Sequence, residues 1–200
     1  MTRGRPKKID QQHVVEVAMN LYWAEGLSGV SLNEICRQAG IAKTSFYREF
    51  GSEDKLMARA ISCYFDTFAR PLIATLADDQ PSAASLDAII THILDRDDPQ
   101  TPCGCMLVKM RDAPEGIGPQ AKVRFEHCKT AQLAALEGFV TRARHRGEIA
   151  PDSDVSLTAA YIDNQISNAL TLKARGEAFD RIYHFTSLAL SPLFTTNQRS

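Results

Sequence analysis

The chain has 200 residues, of which 44% are apolar and 24% charged, and 23 Lys and Arg against 24 Asp and Glu leave a formal net charge of −1. This is the composition of a soluble globular protein with room for a small and a medium domain, and its overall charge does not mark a nucleic-acid binder. No apolar run approaches the ~20 residues that span a bilayer, so no membrane association is expected.

Charge is unevenly placed. Arg3, Arg5, Lys7 and Lys8 fall in the first eight residues with no acid among them, while the rest is acidic on balance. A basic arm on a neutral body suits a protein that meets phosphate with one end. The start lacks the apolar core of a secretory signal, which predicts a cytoplasmic protein. The five cysteines, at 36, 63, 103, 105 and 128, have no framework spacing and are expected to rest as thiols. No cofactor is expected.

Helical periodicity begins at once. Val14, Val17, Ala18, Leu21 and Tyr22 mark one buried face, and Glu25-Gly26-Leu27 reads as that helix's end. Ser31-Leu-Asn-Glu34 is a capping box that predicts a helix to about Ala39, with Ala39-Gly40-Ile41 as a tight turn. A helix of about two turns follows over Lys43–Phe50 and stops at Gly51, after which Ser52 can cap the next helix. Two short helices joined by a glycine turn, behind a longer one, describe a helix-turn-helix. Ile41, Phe46 and Phe50 can face inward, leaving Lys43, Thr44, Ser45, Tyr47 and Arg48 outside. Lysine, hydroxyls and a helix N-terminus hold phosphates, and arginine reads guanine edges.

Further on, Met57, Ile61, Tyr64, Phe65, Phe68 and Leu72 predict a helix from about 53 to 76, and Leu86, Ile89, Ile90, Ile93 and Leu94 another. Pro99, Pro102, Pro114 and Pro119 mark a looser middle. Leu133, Leu136, Phe139 and Val140 resume the pattern, and two last helices are expected over roughly 154–174 and 177–193. No sustained period-2 strand occurs. The predicted class is all-α with about nine helices.

Residues 10–56 resemble the DNA-binding domain of the TetR family. The resemblance is carried by Ile41-Ala-Lys-Thr-Ser-Phe-Tyr-Arg-Glu-Phe-Gly-Ser-Glu-Asp-Lys-Leu56, with Val30-Ser-Leu-Asn-Glu-Ile35 and Ala39-Gly40 before it. It implies a basic arm at 1–9, a three-helix DNA-binding domain at 10–56 and an effector-binding and dimerisation domain at 57–200. It also implies phosphate contacts by Lys43, Tyr47 and Lys55 and base contacts by Thr44, Ser45 and Arg48, with Ser31 as a further DNA-site candidate. Two positions depart from the family pattern: Ala42 stands where a hydroxyl cap is usual, and Glu49 brings a carboxylate to the recognition helix. The fragment Arg3-Gly4-Arg5-Pro6 resembles an AT-hook core, which adds a minor-groove reader.

The implied function is a homodimeric regulator, a repressor by default, that binds a palindromic DNA operator and answers a small effector or a cysteine modification. Ile162, Ile166, Leu170, Ile182, Tyr183 and Thr186 are the candidate dimer contacts. Cys103-Gly-Cys105-Met-Leu-Val108 resembles the Gly-Cys-apolar-apolar-Val segment of a branch containing electrophile and oxidant sensors. There a thiol in a helix's first turn would feel the positive dipole end and be activated. The alternatives are cysteines that simply pack, soft-metal binding through Cys103, Cys105, His127 and Cys128, and a reversible ligand against Tyr64, Phe68, Met106, Phe125, Tyr161 and Asn164. Competing classes are an effector-independent binder of A·T-rich DNA and a helical enzyme. For the enzyme, no phosphate loop, His-Glu-x-x-His or nucleophile elbow appears.

Overall fold

The computed structural model describes residues 9–27, 29–77, 80–95 and 101–194. The expected arm, with Arg3 and Arg5, lies outside the described residues.

Three helices open the described chain: α1 (Gln11–Glu25), α2 (Leu32–Gln38) and α3 (Lys43–Phe50). Asp10 caps α1 by accepting from the amide of His13, and Ser31 caps α2 through the amide of Glu34. Gly40, at φ 64°, makes the turn between α2 and α3. Helix α3 starts at Ala42 with no side-chain cap, as the sequence predicts, and ends at Gly51.

Ser52 then caps α4 (Glu53–Tyr64), which runs through a π turn (Phe65–Ala69) into α5 (Arg70–Ala74) as one continuous rod. The π turn has a local cause. Pro71 has no amide to donate to the carbonyl four residues back, and the amide of Arg70 instead reaches the carbonyl of Phe65. After a short 3-10 turn (Thr75–Ala77) come α6 (Ser82–Asp95), α7 (Met106–Asp112), the long α8 (Pro119–His145), α9 (Val155–Ala174) and α10 (Phe179–Leu190). With α4–α5 counted as one rod, the described residues form nine helices. They contain no strand, only an isolated bridge between Ile149 and Phe194.

Burial divides into two cores. The first joins α1–α4 to the later chain: Trp23, Phe46, Phe50, Leu56 and Ile61 share it with Met106, Met110, Phe125 and Cys128. It therefore runs across position 56/57 rather than stopping there. The second gathers Leu76, Leu86, Ile89, Ile93, Leu136, Phe139, Ile162, Ala169 and Ile182 from α6, α8, α9 and α10. Helices α4 and α8 pack along each other and bind the two cores together.

Candidate nucleic-acid interface and effector cavity

Phe46 and Phe50 stack at 5.4 Å between centroids and anchor α3 in the first core. The opposite side of the helix is thereby turned outward, so that Lys43, Thr44, Tyr47 and Arg48 are exposed and Ser45 is half-buried. Lys55, in the first turn of α4, and Ser31, the cap of α2, are also exposed.

The recognition helix is braced by a polar chain that spans three helices. Glu49 accepts from Arg48 Nε at 3.1 Å and from Gln11 Nε2 at 3.1 Å. Gln11 Oε1 accepts from Arg59, whose guanidinium lies 4.9 Å over the Phe50 ring. Glu49, anomalous in the sequence, is thus turned to Arg48 and α1. Only the cap half of the Ser31–Glu34 box forms, because the Glu34 carboxylate pairs with Arg37 and Gln38, which hold its pKa down at about 2.

Between the two cores lies a cavity of about 430 Å³. Trp23 comes from α1, Tyr64, Phe68, Leu72 and Ile73 from the α4–α5 rod, Ile89, His92 and Ile93 from α6, Gln132 and Leu136 from α8, and Ile166, Leu170 and Lys173 from α9. The segment Thr101-Pro-Cys-Gly-Cys105 closes one side. Gly104 sits at φ 83° with Ala174 Cβ 3.0 Å from where its own Cβ would stand, so only glycine passes there. Its carbonyl accepts from Trp23 Nε1 at 3.1 Å.

Cys103 and Cys105 both line this space, Cys103 exposed and Cys105 half-buried. Cys105 precedes α7 and receives a hydrogen bond from the Tyr64 hydroxyl at 3.2 Å. The first-turn activation expected of it is opposed by burial. Burial pushes its thiol pKa up and outweighs the Tyr64 hydroxyl and the amides of Val108 and Leu107, so Cys105 rests protonated. Lys173 lines the cavity while its ammonium caps α6 through the carbonyls of Ile93 and Leu94. Lys109 caps α1 through the carbonyls of Trp23 and Ala24.

Of the six expected pocket residues, Tyr64 and Phe68 line the cavity. Met106 and Phe125 do not, because both are buried in the first core. Tyr161 and Asn164 lie on the exposed side of α9, where the Tyr161 hydroxyl donates to the carbonyl of Ala189. The expected dimer contacts need a similar correction. Ile162, Ile182 and Thr186 are at most 1% exposed inside this chain, and Ile166 and Leu170 face the cavity. Tyr183 donates to Asp87 on α6. The apolar side chains turned outward on α9 and α10 are Leu157, Tyr161, Phe179, Phe185 and Leu188.

Trp23, Leu72, Ile73, His92 and Gln132 were missed as cavity residues. Asp54 was also missed. Its carboxylate, in the first turn of α4, accepts from the amides of Gln120 and Ala121 at 3.0 and 2.9 Å and so caps α8 from another element. Among the described residues no group of three or more His, Cys, Asp or Glu is placed to hold a metal ion. Cys128 is buried in the first core, and His127 is exposed beside Arg124. No helix of the described chain is long and apolar enough to cross a membrane.

Residues 14–60 match the family model described as bacterial regulatory proteins, tetR family. The chain is similar to the HTH-type transcriptional repressor ComR of Escherichia coli (strain K12), 28% identical over 201 residues that cover 96% of this chain and 93% of that protein. It is also similar to the HTH-type transcriptional repressor DhaR of Mycobacterium sp. (strain GP1), 26% identical over 71% of this chain and 73% of that one. Among solved structures, a cysteine mutant of the regulator CifR complexed with 26-bp double-strand operator DNA superposes with a TM-score of 0.80, at 20% identity over 95% of this chain and 100% of that one. Reduced NemR of E. coli gives 0.79, at 16% identity over 94% and 98%. At these identities the structural likeness concerns the fold.

Proposed function

From the premise that this chain belongs to the TetR family of DNA-binding transcriptional regulators, we propose that it is a homodimeric repressor, released from a palindromic operator when its cavity is occupied. The observation that carries this reading is the continuous rod α4–α5. Its first turn follows the recognition helix, and its last turns line the cavity. Whatever displaces the rod at one end displaces α3 at the other.

Lys43, Tyr47 and Lys55 hold phosphates in this account, and Thr44, Ser45 and Arg48 meet base edges, with the arm at Arg3 and Arg5 in the neighbouring minor groove. The repressor role is supported by the names of ComR and DhaR, and operator binding by the CifR complex. A second copy docks on the outward faces of α9 and α10. The Tyr161–Ala189 bond sets these faces side by side, and Leu157, Tyr161, Phe185 and Leu188 are exposed on them. Two recognition helices about 34–36 Å apart then meet successive major grooves, and an occupant that prefers another spacing lowers affinity.

A second reading has its own support, since Cys103 and Cys105 both line the cavity. Modification of either thiol would occupy the same space covalently, and the exposed Cys103 is the more accessible. The test is fluorescence anisotropy of the reduced protein on its operator before and after N-ethylmaleimide, with Cys103→Ser and Cys105→Ser alongside. Loss of binding that one serine variant resists establishes the covalent route. Binding that survives alkylation leaves reversible occupation as the means of release.

A further inference from the structure

Trp23 belongs to α1, a helix of the DNA-binding unit, yet its ring lies in the cavity wall. It meets Tyr64 and Phe68 edge-on, each at 4.8 Å between centroids; Tyr64 immediately precedes the π turn of the rod and Phe68 lies within it. Its indole N–H holds the Gly104 carbonyl at 3.1 Å, and its own carbonyl receives the Lys109 ammonium at 2.5 Å. One residue therefore touches the cavity, the segment that closes it and the rod, while seated in the same core as Phe46 and Phe50. An occupant that presses on this ring acts on α1 without passing through the length of α4.

The wall also defines what fits. Apolar and aromatic side chains dominate it, and neither Asp nor Glu is among the lining residues. Its one lysine spends its ammonium on the carbonyls that end α6. A cation would find no carboxylate among the described lining residues, since the Asp163 carboxylate lies behind Gln132 and accepts from its amide. An anion would have to compete with a helix end for Lys173. Burying a charge without a partner is costly. The volume is that of a site for a drug-sized molecule.

We infer that the effector is an uncharged, largely apolar molecule and that Trp23 is the specificity-determining residue through which it moves the DNA-binding helices. This rests on the cavity being the effector site, and the experiment separates the two claims.

Trp23 is the chain's single tryptophan, so intrinsic fluorescence reports this one position. The full-length protein is titrated with N-phenyl-1-naphthylamine, an uncharged apolar probe, and with its anionic relative anilinonaphthalene sulfonate. Operator affinity is read with and without each. The expected result is tighter binding of the uncharged probe, near-complete quenching of Trp23, and operator affinity lowered at least about fivefold. In Trp23→Phe the probe still binds, seen by direct excitation, but the fold-loss of operator affinity shrinks toward one. Should that variant not fold, Trp23→Tyr is read in the same way, and the quenching of wild-type Trp23 needs no variant. Equal release in wild type and variant overturns the role of Trp23 while the cavity reading stands, as does probe binding that leaves Trp23 emission or operator affinity unchanged. Tighter binding of the anion overturns the ligand class. If neither probe binds, the cavity reading itself falls, and this inference with it.

Discussion

Asp54 ties α4 to the start of α8 with a single carboxylate. It takes two amides at the start of α8, whose own N-cap residue, Gly118, offers no side-chain cap. Glycine is required there because a Cβ would stand 2.4 Å from the Asp54 side chain. A charged acceptor at a helix N-terminus is favoured both by its hydrogen bonds and by the helix dipole. Asp54→Ala is therefore expected to lower stability by about 1–2 kcal/mol in urea unfolding, and Asp54→Asn by less, since the amide keeps one acceptor. An unchanged midpoint for the alanine variant would show the cap to be idle. The caps at Ser31 and Ser52 were legible because donor and acceptor lie three residues apart. The Asp54 contact was not, because its partner lies 66 residues away. The same holds for Trp23, which reads from sequence as one more core aromatic on α1.

Helix α3 was legible almost to the residue, since glycine, serine and the Phe46–Phe50 spacing bracket it. Its weak point is the uncapped start at Ala42. Ala42→Ser supplies the missing acceptor, and a gain of about 0.5–1 kcal/mol in thermal or urea unfolding is expected. A loss of stability would mean that the hydroxyl does not reach the α3 amides. The rod α4–α5 was anticipated as one helix from about 53 to 76, and it is one. Its π turn was not anticipated, although Pro71 carried the signal. A proline inside a helical pattern forces an irregular turn, and here that turn falls where the rod meets the cavity.

At the scale of the whole molecule, two cores flank a cavity and leave apolar side chains of α9 and α10 uncovered. Periodicity located α9 and α10 but could not tell which apolar side of each turns inward. Ile162, Ile182 and Thr186 fill this chain's own second core, and Leu157, Tyr161, Phe185 and Leu188 turn outward. If these side chains seat a second copy, Phe185→Glu with Leu188→Glu converts dimer to monomer in sedimentation analysis and abolishes tight operator binding. Neither substitution touches the interior, so the monomer stays folded. A dimer that survives both changes would place the interface elsewhere. The cavity was the least legible feature, because its wall is drawn from five helices and one loop far apart in sequence.

The most direct test of the account is selection of DNA from a randomised duplex pool by the reduced full-length protein, followed by affinity measurements on the recovered sequence with Lys43→Ala and Arg48→Ala. Enrichment of a palindrome is expected. Arg48→Ala should lose about 1–3 kcal/mol and relax preference at one position of each half-site. Lys43→Ala should weaken all sequences alike and flatten the salt dependence. A pool that yields no sequence preference, or variants that bind the selected palindrome as tightly as the wild type, would contradict it.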